Sequence, residues 1–119
     1  MTNSPKHIIA FDDATRTPTH SVIDNPQAVD TPYKSTSWRH FTNENKGAIA
    51  GHWEAEPHLE RCKCDFDELC HILEGCVRLT DADGNSQEFR AGDAFVVAAG
   101  FDGTWEKLTY LRKVFFVLS

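Results

Sequence analysis

Asp67-Glu68-Leu69-Cys70-His71-Ile72-Leu73-Glu74-Gly75 is the stretch on which the reading of this chain turns. Leu69 to Glu74 is an apolar-rich run closed by Gly75, of strand length rather than helix length. Cys76-Val77-Arg78-Leu79-Thr80 resumes at once with Val77 and Leu79 on one face and Arg78 and Thr80 on the other. Asp81-Ala82-Asp83-Gly84-Asn85 reads as a hairpin turn, Asp-Gly supplying the positive φ that it needs. Gln87 to Arg90 is the return strand and Ala91-Gly92-Asp93 the next turn. Ala94–Ala98, Thr104–Leu108 and Leu111–Leu118 continue as strands, with a turn at Gly100–Gly103. Upstream, Ala48–Trp53 and Leu59–Phe66 are strands, and in the second Cys62, Cys64 and Phe66 share a face. No segment past residue 38 carries a 3.6-residue period. Short strands separated by Gly and Asp turns predict an all-β sandwich or barrel.

Residues 1–37 differ in composition: Pro5, Pro18, Pro26 and Pro32 interrupt a Thr- and Ser-rich segment with no sustained apolar period. They predict a largely irregular arm, with one short strand near His7–Phe11, ahead of a single body spanning 38–119. At 119 residues the chain is one domain's worth. Its 12 Lys+Arg against 18 Asp+Glu give a net charge of −6, which argues against nucleic acid and against an anionic membrane surface as partners. No basic-then-apolar leader opens the sequence, and no segment has the roughly 18 apolar residues of a membrane span, so the expected compartment is the cytoplasm. Cys62, Cys64, Cys70 and Cys76 fall in one short window and, in a reducing compartment, read as free thiols or metal ligands before disulfides. A Cys62–Cys64 disulfide would need Cα atoms about 6.5–7 Å apart on an extended strand to close, near the upper geometric limit.

Glu68 followed six residues later by Gly75, then a hairpin and Gly92-Asp93, resembles the cupin family. Asp67–Gly75, Asp83-Gly84, Ala91-Gly92-Asp93-Ala94-Phe95-Val96 and Gly103-Thr104-Trp105-Glu106 are most similar to small single-domain cupins related to ureidoglycine aminohydrolase. Trp53-Glu54-Ala55-Glu56-Pro57 and Arg112-Lys113 fit the same branch, and cupins of ethanolamine-utilisation operons are more distant relatives. The resemblance covers 48–118 and implies a jelly-roll β-barrel. The sequence departs from the family pattern where metal would bind. Cys62 and Cys64 stand at the two histidine positions of the first motif, Ala98 at the proline of the second, and Gly103 at its histidine.

These departures define the candidate site. Cys62, Cys64 and Glu68 could hold one divalent ion, zinc being favoured by thiolates, with Cys70 sharing the parity of Glu68. The preferred reading is no metal, because no ligand stands at Gly103. Without a cation, burial should raise the Glu68 pKa and make it a candidate catalytic acid or base. Trp53, Cys62, Cys64, Glu68, Cys70, Trp105 and Arg112 are the expected pocket residues, Arg112 facing an anionic ligand or Glu68. Phe95 and Phe101 could add aromatic wall, His52 and His58 lie near the barrel mouth by analogy, and His71 faces the opposite side of its strand. Two functions follow. The first is a binding protein, sensor or accessory, that takes a small polar ligand in the barrel. The second is a metal-assisted hydrolase acting on a small ureide or carboxylate. A homodimer paired through its sheets is expected in either case.

Overall fold

The computed structural model describes residues 7–119. Ten strands follow one another: β1 Thr19–Ile23, β2 Tyr33–Asn43, β3 Ala48–Ala55, β4 His58–Lys63, β5 Asp67–Glu74, β6 Cys76–Asp81, β7 Ser86–Arg90, β8 Ala94–Val97, β9 Asp102–Lys107 and β10 Leu111–Leu118. They form a six-stranded sheet, β1-β2-β3-β10-β5-β8, and a four-stranded sheet, β4-β9-β6-β7, antiparallel throughout. The all-β architecture predicted from the strand pattern, and the jelly roll that the family resemblance implied, are the fold observed. Cys70, Ile72, Val77, Leu79, Val97, Trp105 and Leu111 are buried together as its core.

Two turns show why the pattern was readable. Gly75 adopts φ 94°, and a Cβ there would lie 2.0 Å from the Tyr110 carbonyl oxygen, so only glycine joins β5 to β6. In the β6–β7 hairpin, Asp81 Oδ1 accepts from the backbone N–H groups of Asp83 (3.0 Å) and Asn85 (2.9 Å), the self-capping turn that Asp favours.

Residues 7–37 carry more regular structure than their composition suggests. The strand expected near His7–Phe11 does not form: that segment is irregular, and the strand lies later, at β1, paired with β2. The expected boundary after residue 37 falls inside β2, whose first residues already pair with β3. Tertiary pairing overrides the local Thr/Ser signal here, because β3 offers β2 a complete hydrogen-bonding edge. Residues 26–29 then cross to the smaller sheet. The Arg61 guanidinium donates to the Gln27 (3.0 Å) and Pro26 (2.9 Å) carbonyls, and Val29 packs with Tyr33 and Ala55.

Candidate functional site in the barrel interior

The inward face of β10 carries Lys113, Phe115 and Val117; that of β9 carries Trp105 and Lys107; and β4 turns Glu60 and Cys62 the same way. With Tyr33 of β2, Trp53 of β3 and Glu68 of β5, they enclose a cavity of about 310 Å³. That is the small end of the range for ligand pockets and suits a small metabolite. Of the sequence-predicted residues, Trp53, Cys62, Cys64, Glu68 and Trp105 line this cavity. Cys70 sits just behind it, its thiol donating to Glu68 Oε2 at 3.1 Å.

Arg112 does not join them. β-strand parity puts it on the face opposite Lys113, where it pairs with Glu54 at 3.0 Å and with Asp13 of the arm. Its neighbour Lys113 is the residue that reaches Glu68, at 2.7 Å. This also corrects the expectation for Glu68. Burial alone would raise its pKa, but the Lys113 ammonium outweighs that and holds the carboxyl below its ordinary value. Lys113 is correspondingly held above its own, despite its burial. Glu68 is therefore a carboxylate locked in an ion pair, not a poised acid.

A second ammonium shares the cavity. Lys107 is 3% exposed, with Nζ 3.6 Å from Glu60 Oε1. Tyr33 donates its hydroxyl to Glu60 Oε2 at 2.7 Å. Both lysines lie against the same two indoles: Lys113 Nζ is 4.4 Å from the Trp105 ring centre and 5.2 Å from that of Trp53, and Lys107 Nζ is 5.0 and 5.3 Å from them. These are cation–π distances in a desolvated setting. Burial lowers the Lys107 pKa to about 8, the nearby Lys113 charge adds to that, and Glu60 opposes it. At the rim, His58 stacks on Tyr33 with ring centres 3.4 Å apart. Its Nδ1–H donates to the Glu56 carbonyl at 2.7 Å, which leaves Nε2 a buried acceptor with no partner. Burial lowers its pKa.

A divalent ion on Cys62, Cys64 and Glu68 does not fit these residues. Glu68 Oε2 already accepts from Lys113 and Cys70. The Cys62 and Cys64 sulfurs lie 3.7 Å apart as free thiols. Burial raises both, Cys62 to about 12 with the Cys64 and Glu60 charges adding to it, and Cys64 with the charges of Glu68, Glu60 and Asp65 adding to it. At Gly103 any side chain is excluded, since a Cβ would lie 2.0 Å from the Thr80 carbonyl oxygen. Lys107 and Lys113 supply the positive charge that an ion would otherwise bring. Sequence reasoning passed over them because lysine on an apolar strand face reads as surface. Their parity with Trp105 and Phe115 was the available signal.

Metal-ligand side chains meet elsewhere, on the outer face of the larger sheet. Asp13, His40 and His52 place their ligand atoms within 4.8 Å of one another, so this trio is a candidate metal-binding group. In the structure it is hydrogen-bonded: Asp13 Oδ1 lies 2.6 Å from His40 Nε2 and 2.8 Å from His52 Nδ1. Arg112 takes the other carboxylate oxygen. Burial would raise the Asp13 pKa, but His52, Arg112 and His40 together bring it to about 2. The local cause is a register shift that makes His40 an extra residue in β2, between the Arg39–Gly51 and Phe41–Ala50 pairs. A Cβ on Gly51 would lie 1.8 Å from the Trp38 carbonyl oxygen, so glycine permits this close approach. Phe11 covers the cluster, stacked on His40 at 4.8 Å. A larger hollow of about 760 Å³ lies beside the β6–β7 turn. Its charged lining is acidic only, Asp81, Asp83 and Asp102, and gathers no reactive set.

The comparisons agree with this fold. The family model for the EutQ-like cupin domain matches residues 42–115. A Pseudomonas syringae pv. tomato protein of unknown function from the DUF861 family superposes with a TM-score of 0.76 at 26% identity. The match covers 86% of this chain and 43% of that one, so this chain spans less than half of its length. A putative ethanolamine utilization protein Q from Salmonella typhimurium gives 0.64 at 16% identity, covering 87% and 97% of the two chains. A DUF861 family protein from Thermotoga maritima gives 0.52 at 33% identity over 54% of this chain and 73% of that one. No curated protein sequence matches. The barrel, its glycine-punctuated strands and the matched span together show that this chain belongs to the EutQ-like cupin domain family.

Proposed function

We propose that this protein binds a small polar molecule inside the barrel, and that Lys107, Lys113 and Tyr33 supply the polar contacts while Trp53 and Trp105 form the walls. One observation carries the reading: two ammonium groups and two carboxylates are enclosed together where an apolar core would serve stability equally well. Buried ion pairs are often no more stabilising than the apolar side chains that could replace them. A cavity that keeps four charged groups and a phenol therefore points to recognition. Each lysine has three donor protons, and Lys113 uses one on Glu68 and one on Cys70, which leaves one for a ligand oxygen. The metal-assisted hydrolase reading draws no support from these residues, and no step through a metal is assigned.

The test is a thermal-shift screen of small carboxylates, amides and carbonyl compounds, with quenching of tryptophan emission as a second readout. Expected is a compound that stabilises the wild type and fails to stabilise Cys62→Trp, in which the cavity is filled. If every stabilising compound acted equally on Cys62→Trp, the barrel would not be the site.

Two further assignments belong to the same reading. The outer face of the larger sheet carries an apolar row in register: Leu69 lies between Val96 and Phe116, and the three are 49%, 61% and 38% exposed. This row, at the β8 edge, is assigned to contact with a second copy of the chain. Among the described residues no helix is long and apolar enough to cross a membrane. The four free thiols suit a reducing compartment, and we assign the protein to the cytoplasm.

A further inference from the structure

Lys107 and Lys113 share one cavity but have different partners. Lys113 is held close by Glu68 at 2.7 Å and accounts for that carboxylate. Lys107 has only a long contact to Glu60, 3.6 Å, and Glu60 spends its other oxygen on Tyr33. A lysine desolvated among indoles and set beside a second fixed cation is the environment that frees an amine lone pair near neutral pH. The carboxylate and phenol beside it form a short proton relay.

We propose that Lys107 is a nucleophile that forms an imine with a small aldehyde or ketone entering the barrel cavity. The neutral amine adds to the carbonyl carbon, the C–N bond forming as the carbonyl π pair moves to oxygen. Glu60 takes the first amine proton and returns it to that oxygen, which gives a carbinolamine. The C–O bond then breaks, the second amine proton leaves with the hydroxyl as water, and the nitrogen lone pair completes the C=N bond. Amine and carbonyl become imine and water, with no oxidant or reductant needed. Lys113 stays protonated throughout and is placed to hold a carboxylate carried by the carbonyl compound. This deepens the binding reading above and rests on it.

The charged and titratable groups that face Lys107 are Glu60, Cys62 and His58 from β4, Tyr33 from β2, Glu68 from β5 and Lys113 from β10. With the amine titrating at about 8, its neutral fraction rises about tenfold from pH 7 to pH 9 and then levels off, whereas an exposed lysine, at about 10.4, keeps rising.

The test uses the wild-type full chain with glyoxylate, with and without sodium cyanoborohydride, followed by intact mass and peptide mapping. Expected is one reduced adduct per chain, mapped to Lys107, with a rate that levels off above pH 8–9 and no adduct at this position in Lys107→Met. Tryptophan quenching by glyoxylate without reductant separates the two readings. Quenching with adducts only on exposed lysines such as Lys34, Lys46 and Lys63 would overturn the imine and keep the site. Neither quenching nor an adduct in the barrel would overturn both.

Discussion

Replacing Lys113 by Met removes the cation that lets Glu68 stay ionised inside the barrel. The Glu68 side chain is 13% exposed and that of Lys113 9%, so solvent cannot take over the role. Removing one member of such a pair costs about 3–5 kcal/mol, because the other charge is stranded. At about 2.1 cal/mol/K of unfolding entropy per residue, 119 residues give about 0.25 kcal/mol/K, so the midpoint should fall by about 12–20 °C. Differential scanning calorimetry measures it directly. The double variant Glu68→Met/Lys113→Met should recover most of the loss, since an apolar replacement of both partners strands nothing. The pH dependence has a definite sign. In the wild type the Glu68 pKa lies below its ordinary 4.5, so the pair stabilises above 4.5 and its contribution fades as pH falls through the folded value. In Lys113→Met, burial leaves that pKa above 4.5 and the carboxyl can protonate, so the gap from wild type should narrow between pH 7 and pH 5. A drop of less than about 4 °C, the value of an exposed pair, with no change in the gap on acidification would refute the account.

Asp13→Asn should free the arm: tryptic cleavage after Arg16, whose guanidinium holds the His40 carbonyl at 3.1 Å, should quicken at least about fivefold. In the wild type the Asp13 contribution is complete above pH 3.8 and is lost as pH falls toward 2, so acid should produce the same opening, read by hydrogen exchange. Gly103→His, which would put back the histidine of the family pattern, should cost about 3 kcal/mol, the upper end of overpacking costs, through the clash with the Thr80 carbonyl and should gain no zinc by elemental analysis. Leu69→Glu should lower the apparent mass in sedimentation from two chains to one while leaving the circular dichroism spectrum unchanged. A wild type that sediments as a single chain would remove the second-copy assignment.

The sequence made the barrel legible because its turns are chemical. Gly75, Gly84 and Gly92 all adopt positive φ, and each was visible between alternating strands. The site was legible only in part. Trp53, Cys62, Cys64, Glu68 and Trp105 could be placed inward by parity with the family pattern. Lys107 and Lys113 share parity with Trp105 and Phe115, yet a lysine on an apolar face reads as surface, because it turns inward only when a partner from another strand is waiting. Here the partners are Glu60 and Glu68, 47 and 45 residues away. Choosing Arg112 over Lys113 was a one-residue error in parity, and parity alone decides which face of a strand a cation serves. The His40–His52–Asp13 cluster was hidden for a different reason. It depends on an unpaired residue in β2 and on an arm segment with no periodicity of its own.

The position of β10 also governs assembly. It follows every other described strand in the sequence, yet lies in the interior of the larger sheet, hydrogen-bonded to β3 on one side and β5 on the other. Until Leu111–Leu118 arrives, the β1-β2-β3 and β5-β8 portions have no shared edge, and the cavity lacks both its wall and the cation for Glu68. Closure must therefore come late and join distant parts of the chain, a route that is slow and leaves two strand edges open to other molecules meanwhile. During synthesis such a chain would remain two unjoined half-sheets until that strand was free to pair, which makes the interval just before β10 emerges the period of greatest exposure to misassembly.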